Sequence, residues 1–444
     1  MSVVGLVAIV RTTFDVPLAT EIAAQAREQL DAAGLTVISP TDGVTDLEAA
    51  QTAAADLAET PLDLLIVLQA TFADTTMIMA LADQIDASLA LWAVPEAHTG
   101  ERLRLNSMCG VNLAAHALTR SGRRYHAVYG APDDQATLAQ IEMLARAGAV
   151  RRRLQSTRIG RAGHPPAGFP TCDIDAADLK RTFGVDVVPI DLETTVFAEA
   201  RSTDPAAVAA AVNDLQTRVS DLDSVDAEAT QGTLSVYLTL KQIAEREDLD
   251  GLAVRCWPEF FTELGCAACG ASSLLSDDLL PSTCEADVGS ALTNLMLQWL
   301  SAVPAFDTDV VSLDTEHDAL VLWHCGKAPL SMANPAPPPG VTIHSNRKRP
   351  LLMAFALKPG RVTVARISQA TGSFRLVIGS GEIVEAPAPF SGTAGLLRFD
   401  RPAHEVLATI LGEGLEHHLS ITYGDHTSAL LALAQMLNLP VLRL

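Results

Sequence analysis

Val3-Val4-Gly5-Leu6-Val7-Ala8-Ile9-Val10 is an apolar run of strand length, and the polar Arg11-Thr12-Thr13-Phe14-Asp15 follows it. The next segment, 18–33, places Ile22, Ala23, Ala26 and Leu30 on one helical face and stops at Gly34, the residue type that most readily closes a helix. Leu35-Thr36-Val37-Ile38 then reads as a second strand, and 64–68 and 89–93 repeat the pattern with helices between. Strand alternating with helix predicts parallel strands joined by crossover helices, a doubly wound sheet. In such sheets ligands bind beyond the carboxyl ends of the strands, where Arg11, Gln69 and Glu96 fall. Any one of these is more often a polar loop residue than a contact.

Leu105-Asn106-Ser107-Met108-Cys109-Gly110-Val111-Asn112 leads into a helix carrying His116. Asn106 and Ser107 suit a helix cap or hydrogen bonds to a polyol. His116 lies among Ala and Leu, where a satisfied core histidine is the commoner outcome. A basic run, Arg151-Arg152-Arg153, and Pro165-Pro166 bracket a boundary, giving a first domain over 1–155. Alternation resumes over 156–334, with strands at 185–190, 309–311 and 320–323 and helices around 205–222 and 233–247. The prolines of 335–340 break the chain again. Over 335–444, short strands separated by Pro-Gly, Thr-Gly and Gly-Ser-Gly predict a small, mostly antiparallel barrel-like β domain. The expected fold is therefore α/β: two doubly wound parallel-sheet domains followed by that β domain.

The middle domain carries the most chemical stretch. Leu252-Ala253-Val254 reads as a buried strand, and Pro258 ends it, so Glu259 lies just past a strand's carboxyl end. Ala291, Leu292, Leu295, Met296, Trp299 and Leu300 recur at helical spacing after Cys284-Glu285-Ala286-Asp287-Val288-Gly289. Glu285 and Asp287 thus stand at a helix amino end, which favours carboxylates. Asp287 alone reads as an N-cap. Carboxylates on two element ends, together with an imidazole, suit Mn²⁺ or Mg²⁺. The histidines in reach are His324, His417 and His418. Neighbours in a strand point to opposite faces, so at most one of His417 and His418 should face a site.

Bulk properties exclude several classes. The chain has 444 residues, 48% apolar and only 5% aromatic, enough for two or three domains with large cores. A formal charge of −22 argues against nucleic acid or an anionic membrane as partner. No amino-terminal targeting signal and no apolar run of ~20 residues is present, so a cytoplasmic protein is expected. Seven cysteines fit free thiols in a reducing compartment. A zinc site from Cys256, Cys266, Cys269 and Cys284 lacks a second Cys-x-x-Cys, which leaves buried thiols as the expectation. Phosphate-loop, dinucleotide and nucleophile-elbow patterns are missing.

Cys256-Trp257-Pro258-Glu259, Cys284-Glu285-Ala286-Asp287, the His324-Cys325-Gly326 turn and the closing His417-His418, Tyr423-Gly424-Asp425-His426 and helix resemble the L-fucose isomerase/L-arabinose isomerase-like superfamily. The resemblance spans essentially the whole chain. It implies a metal-dependent aldose–ketose isomerase working through a cis-enediol on a fucose-, arabinose- or sulfoquinovose-like sugar. It implies Mn²⁺ held by Asp287, by His418 six residues before Gly424, and by Glu259, with Glu263 as rival. Glu259 and Asp287 would also be the catalytic pair. Arg11, Asn106, His116 and Tyr423 would hold the sugar, Arg11 suiting an anionic substituent. A homo-oligomer, trimer or hexamer, is implied as well. The alternative from another class is a non-catalytic sugar-binding α/β module, which would bind sugar without turnover.

Overall fold

The structure, a computed structural model, describes residues 2–444. It divides into two compact units. One runs to Arg153 and takes in Ser428–Asn438; the other holds Leu154–Thr427 and Leu439–Leu444.

In the first unit, strands β1 (Val3–Ile9), β2 (Thr36–Ile38), β3 (Leu64–Gln69), β4 (Ser88–Ala93) and β5 (His126–Tyr129) form an all-parallel sheet in the order β2-β1-β3-β4-β5. Every residue of β3 and β4 is buried, which is why their sequences show no polar alternation. Helices cross between the strands. Val16–Ala32 is started by Asp15, whose carboxylate accepts the Leu18 N–H at 3.1 Å. Gln135–Leu154 passes so close to the sheet that a Cβ at Gly148 would overlap the Asp63 carbonyl oxygen.

The second unit begins with β6 (Arg158–Ala162), β7 (Asp186–Ile190), β8 (Gly251–Val254) and β9 (Ser282–Thr283), again all parallel, in the order β7-β6-β8-β9. It continues with β10 (Phe306–Asp314), β11 (Ala319–His324), β12 (Gly340–Thr342), β13 (Leu352–Ala356), β14 (Gly360–Ser368), β15 (Arg375–Val384), β16 (Thr393–Phe399), β17 (His418–Tyr423) and β18 (Val441–Arg443). Six of these close an antiparallel barrel, β16-β11-β10-β17-β14-β15 and back to β16. β13 and β18 add to it in parallel, and β12 pairs with β13. The fold class matches the expectation from sequence. The barrel starts earlier than the proline-rich break suggests, because β10 and β11 are two of its staves. A short apolar strand carries no local mark of which sheet it will join.

One helix connects the two layers of this unit. Val288–Ser301 packs on β8 from one side and on β14 and β17 from the other. All its residues except Trp299 and Ser301 are buried, the polar Ser290, Thr293, Asn294 and Gln298 included. Among the described residues no helix is long and apolar enough to cross a membrane.

The close helix–sheet approach at Gly148 yields a direct test. Gly148→Ala should destabilise the first unit by about 1–3 kcal/mol through overpacking. Thermal denaturation reads this as a lowered Tm; an unchanged Tm would mean that the helix can move away freely.

Candidate active site

Asp287 caps the helix Val288–Ser301. Its Oδ1 accepts the Ser290 N–H at 2.9 Å and its Oδ2 the Ser290 hydroxyl at 2.8 Å. Arg366, from β14, reaches the same carboxylate with both terminal nitrogens: Nη1 to Oδ2 at 2.8 Å and Nη2 to Oδ1 at 3.1 Å. It also donates to the Ser290 hydroxyl. The arginine is 3% exposed and the aspartate 1%. A pair so deep survives its desolvation through this two-pronged geometry, with the Glu416 carboxylate 3.9 Å from the arginine Nε. His418, the first residue of β17, sets Nδ1 3.0 Å from Asp287 Oδ2. Burial alone would raise the Asp287 carboxyl, but the Arg366 charge and the His418 bond hold it far below the usual range. Burial would lower His418, yet bonds to Asp287 and Cys172 raise it well above an ordinary imidazole.

Glu285 is turned toward the same place by its backbone. Glu285 and Ala286 have φ of 57° and 56°, two consecutive left-handed residues without a glycine. Each such residue costs roughly 1–2 kcal/mol. The turn is secured by the Ala286 N–H, which donates to the Val254 carbonyl at the end of β8 at 3.1 Å. Glu285 Oε1 then accepts from the Trp257 indole N–H at 3.0 Å. Its Oε2 lies 3.1 Å from His417 Nε2 and 3.5 Å from the Cys172 thiol. His417 Nδ1 pairs with the Thr171 hydroxyl at 2.8 Å. Burial would raise Glu285, but the His417 and Trp257 bonds bring it below the usual value. Phe169 stands edge-on to Trp257 at 5.4 Å and to His417 at 6.0 Å, completing an aromatic rim.

The site therefore has two layers. Asp287 and His418 are closed off at 1% and 2% exposure, whereas Glu285 and His417 are open at 13% and 36%. Ligand atoms of Cys172, Glu285, His417 and His418 all lie within 4.8 Å of one another, as do those of Asp307, His324 and His418. Behind His418 the buried Lys327 ammonium pairs with Asp307, both 1% exposed. His324 Nε2 and Asp309 Oδ1 are buried without a hydrogen-bond partner.

Of the residues expected from sequence, Asp287 and His418 meet. Glu259 does not join them: Arg255 Nε donates to both of its oxygens, at 2.9 and 2.8 Å, and neither ligand cluster among the described residues includes it. Glu263 is exposed. Tyr423 ends β17, five residues from His418 and so roughly 16 Å along the strand. Its hydroxyl donates to the Lys358 carbonyl at 2.6 Å. Arg11, Asn106 and His116 lie in the first unit. Arg11 is exposed, and its backbone N–H donates to the Thr71 hydroxyl. Asn106 takes the N-cap position in a left-handed conformation, makes no side-chain cap bond, and donates its N–H to Glu96. His116 is exposed rather than a core residue.

His417 and His418 both face the site, with ring centroids 4.0 Å apart, against the expectation of one. His417 precedes the first ladder residue of β17, so strand alternation does not govern it. The sequence reading missed Arg366, Thr171 and Cys172. Arg366 is detectable as a cation in the middle of an otherwise largely apolar strand; Thr171 and Cys172 lie in a single short helical turn with no periodic signal. All seven cysteines are free. Cys269 contacts Cys325 at 3.2 Å rather than Cys266, and Cys256 contacts Cys284 at 3.0 Å. Burial pushes the Cys172 and Cys266 thiols up to about 11.

Two family descriptions match the chain: "Fucose/sulfoquinovose isomerase, N-terminal domain" over residues 5–155 and "L-fucose isomerase, C-terminal domain" over 353–444. The chain is 32% identical over 437 residues to a sulfoquinovose isomerase from Alkalicoccus urumqiensis, covering 98% of each. It is 31% identical over 431 residues to one from Priestia aryabhattai, covering 97% of this chain and 96% of the relative. It is 32% identical over 380 residues to one from a Clostridium species (strain MSTE9), covering 85% of each.

The inner pair makes a stability prediction. Asp287→Asn leaves Arg366 buried and unpaired, so the loss should be about 3–5 kcal/mol in chemical denaturation. Adding Arg366→Met should recover a substantial part of it. Equal stabilities for Asp287→Asn and the parent would contradict a tightly coupled pair.

Proposed function

The chain belongs to the fucose/sulfoquinovose isomerase family and is an isomerase, and from that premise we propose that it interconverts an open-chain aldose of the sulfoquinovose type, a C6-sulfonated glucose, with its ketose through a cis-enediol. The observation that supports this most is the open Glu285–His417 pair set against the closed Asp287–His418 pair.

The reaction moves a proton between C2 and C1 and exchanges protons on O1 and O2. Glu285 is the base: Trp257 fixes one oxygen, and the other lies in the open layer. It takes the C2 proton and returns it to C1. His417, oriented by Thr171, gives a proton to O1 and receives one from O2. Asp287 cannot act as base, because Arg366, Ser290 and His418 already occupy both its oxygens. Glu285 therefore takes the role that the sequence reading gave to Glu259, whose oxygens Arg255 holds.

Glu285 and His418 would hold a divalent cation, with Asp287, expected from sequence as a ligand, instead fixing the His418 ring from behind, and a carboxylate oxygen with an imidazole nitrogen suits Mn²⁺. The fit rests on the ligand atoms gathered within 4.8 Å around His418 and on Asp287 touching that ring. When bound, the ion would supply polarisation of the sugar oxygens. Arg11, Asn106 and His116 remain in this reading as substrate contacts within a homo-oligomer, trimer or hexamer, and Tyr423 as a barrel tie.

The test is proton exchange at C2 of the sulfonated sugar, followed by NMR. Chelation should abolish exchange and Mn²⁺ should restore it. Glu285→Gln should lower kcat about 10²–10⁴-fold with the melting curve kept, while Glu259→Gln stays within a few-fold. A fully active Glu285→Gln variant removes the proposed base.

A further inference from the structure

The aromatic rim of the site carries a cation that the reaction so far does not use. Trp257, which bonds Glu285, also lies under Arg347: the guanidinium carbon is 4.7 Å from the indole centroid and 5.3 Å from the Phe261 ring. Arg347 is exposed and, like its neighbours Lys348 and Arg349, makes no side-chain hydrogen bond or ion pair among the described residues. Three adjacent cations without an acidic partner stand out in a chain of formal charge −22.

The loop that bears them is tied down. The His344 N–H donates to the Arg349 carbonyl at 2.9 Å, and the Lys348 N–H to the His344 carbonyl at 2.8 Å. His344 Nδ1 accepts the N–H groups of Asn346 and Arg347, each at 3.3 Å. The His344 ring stands edge-on to Phe261 at 5.1 Å. Burial, with the nearby Arg347 charge, keeps His344 below its ordinary value, consistent with a neutral acceptor ring. The guanidinium is therefore oriented by two aromatic faces and a closed turn, with its donors left free.

We propose that Arg347 is the specificity residue that holds the sulfonate of the substrate, with Lys348 and Arg349 adding positive potential beside it. This rests on the sulfonated-sugar reading above. A sulfonate is permanently anionic and offers oxygens in a spacing that a planar guanidinium fork can take in pairs. Trp257 bonds the proposed base through its indole N–H and carries Arg347 over its ring. One indole thus contacts both the proposed base and the cation proposed for the sulfonate.

The experiment compares the Mn²⁺-loaded parent, Arg347→Gln and Arg347→Lys on sulfoquinovose and on 6-deoxyglucose, which has a methyl group in place of the sulfonated carbon. The ratio of kcat/KM for the sulfonated over the neutral sugar should fall about 10- to 100-fold in Arg347→Gln, mainly through KM. Arg347→Lys should restore part of it. An unchanged ratio overturns the proposal, because a residue that merely supports Trp257 would affect both sugars alike. Titration calorimetry with sulfoquinovose needs no turnover. Affinity weakened by the same factor in Arg347→Gln supports the proposal, and equal affinity overturns it. A parent that binds the sulfonated sugar through Arg347 without isomerising it would sink the isomerase reading alone; a parent that does not bind it overturns both.

Discussion

A buried carboxylate and a buried guanidinium, Asp287 and Arg366, are the contact on which the arrangement of the second unit rests. One belongs to the first turn of the helix Val288–Ser301, the other to a stave of the barrel. Neither charge could be buried alone, so the pair ties helix to barrel. Gly289 belongs to the same device: a Cβ there would come within 3.0 Å of Arg366 Nη2. His418 leans on the pair from β17, whose neighbours β10 and β14 hold it in register on both sides. The inner layer of the site is thus fixed by ladders and charge together, and the outer layer is the more exposed.

What could be read from sequence was what depends on near neighbours. The uninterrupted runs of β3, β4 and β8 announced buried parallel strands, and the apolar spacing after Asp287 announced the helix it caps. An N-cap is a three-residue event, so Asp287 was legible as one. Glu285 was harder. Its direction depends on two left-handed residues in a turn without glycine, and nothing in Cys-Glu-Ala-Asp announces that. Glu259 was attractive because it follows a strand, but Arg255, four residues away, claims it. His417 escaped strand alternation by a single position. Arg366 reaches Asp287 across 79 residues of sequence, a distance over which periodicity says nothing.

The site divides its labour by depth. Asp287, Arg366 and His418 lie inside, tied to one another by hydrogen bonds. The more exposed Glu285 and His417 pair with each other, and each is oriented by a further partner: Trp257 for Glu285, Thr171 for His417. Phe169 and Trp257 frame the opening, and the indole N–H of Trp257 holds Glu285. In a strongly acidic chain, residues 347–349 form a local cationic run beside the Trp257 ring.

The path of the last residues has a further consequence. After Thr427 the polypeptide leaves the barrel unit, contributes a helix to the amino-terminal one, and comes back to lay β18 beside β15. Neither body is therefore encoded by one uninterrupted stretch of gene. A clip anywhere in this short tail would strip an element from one body or from both.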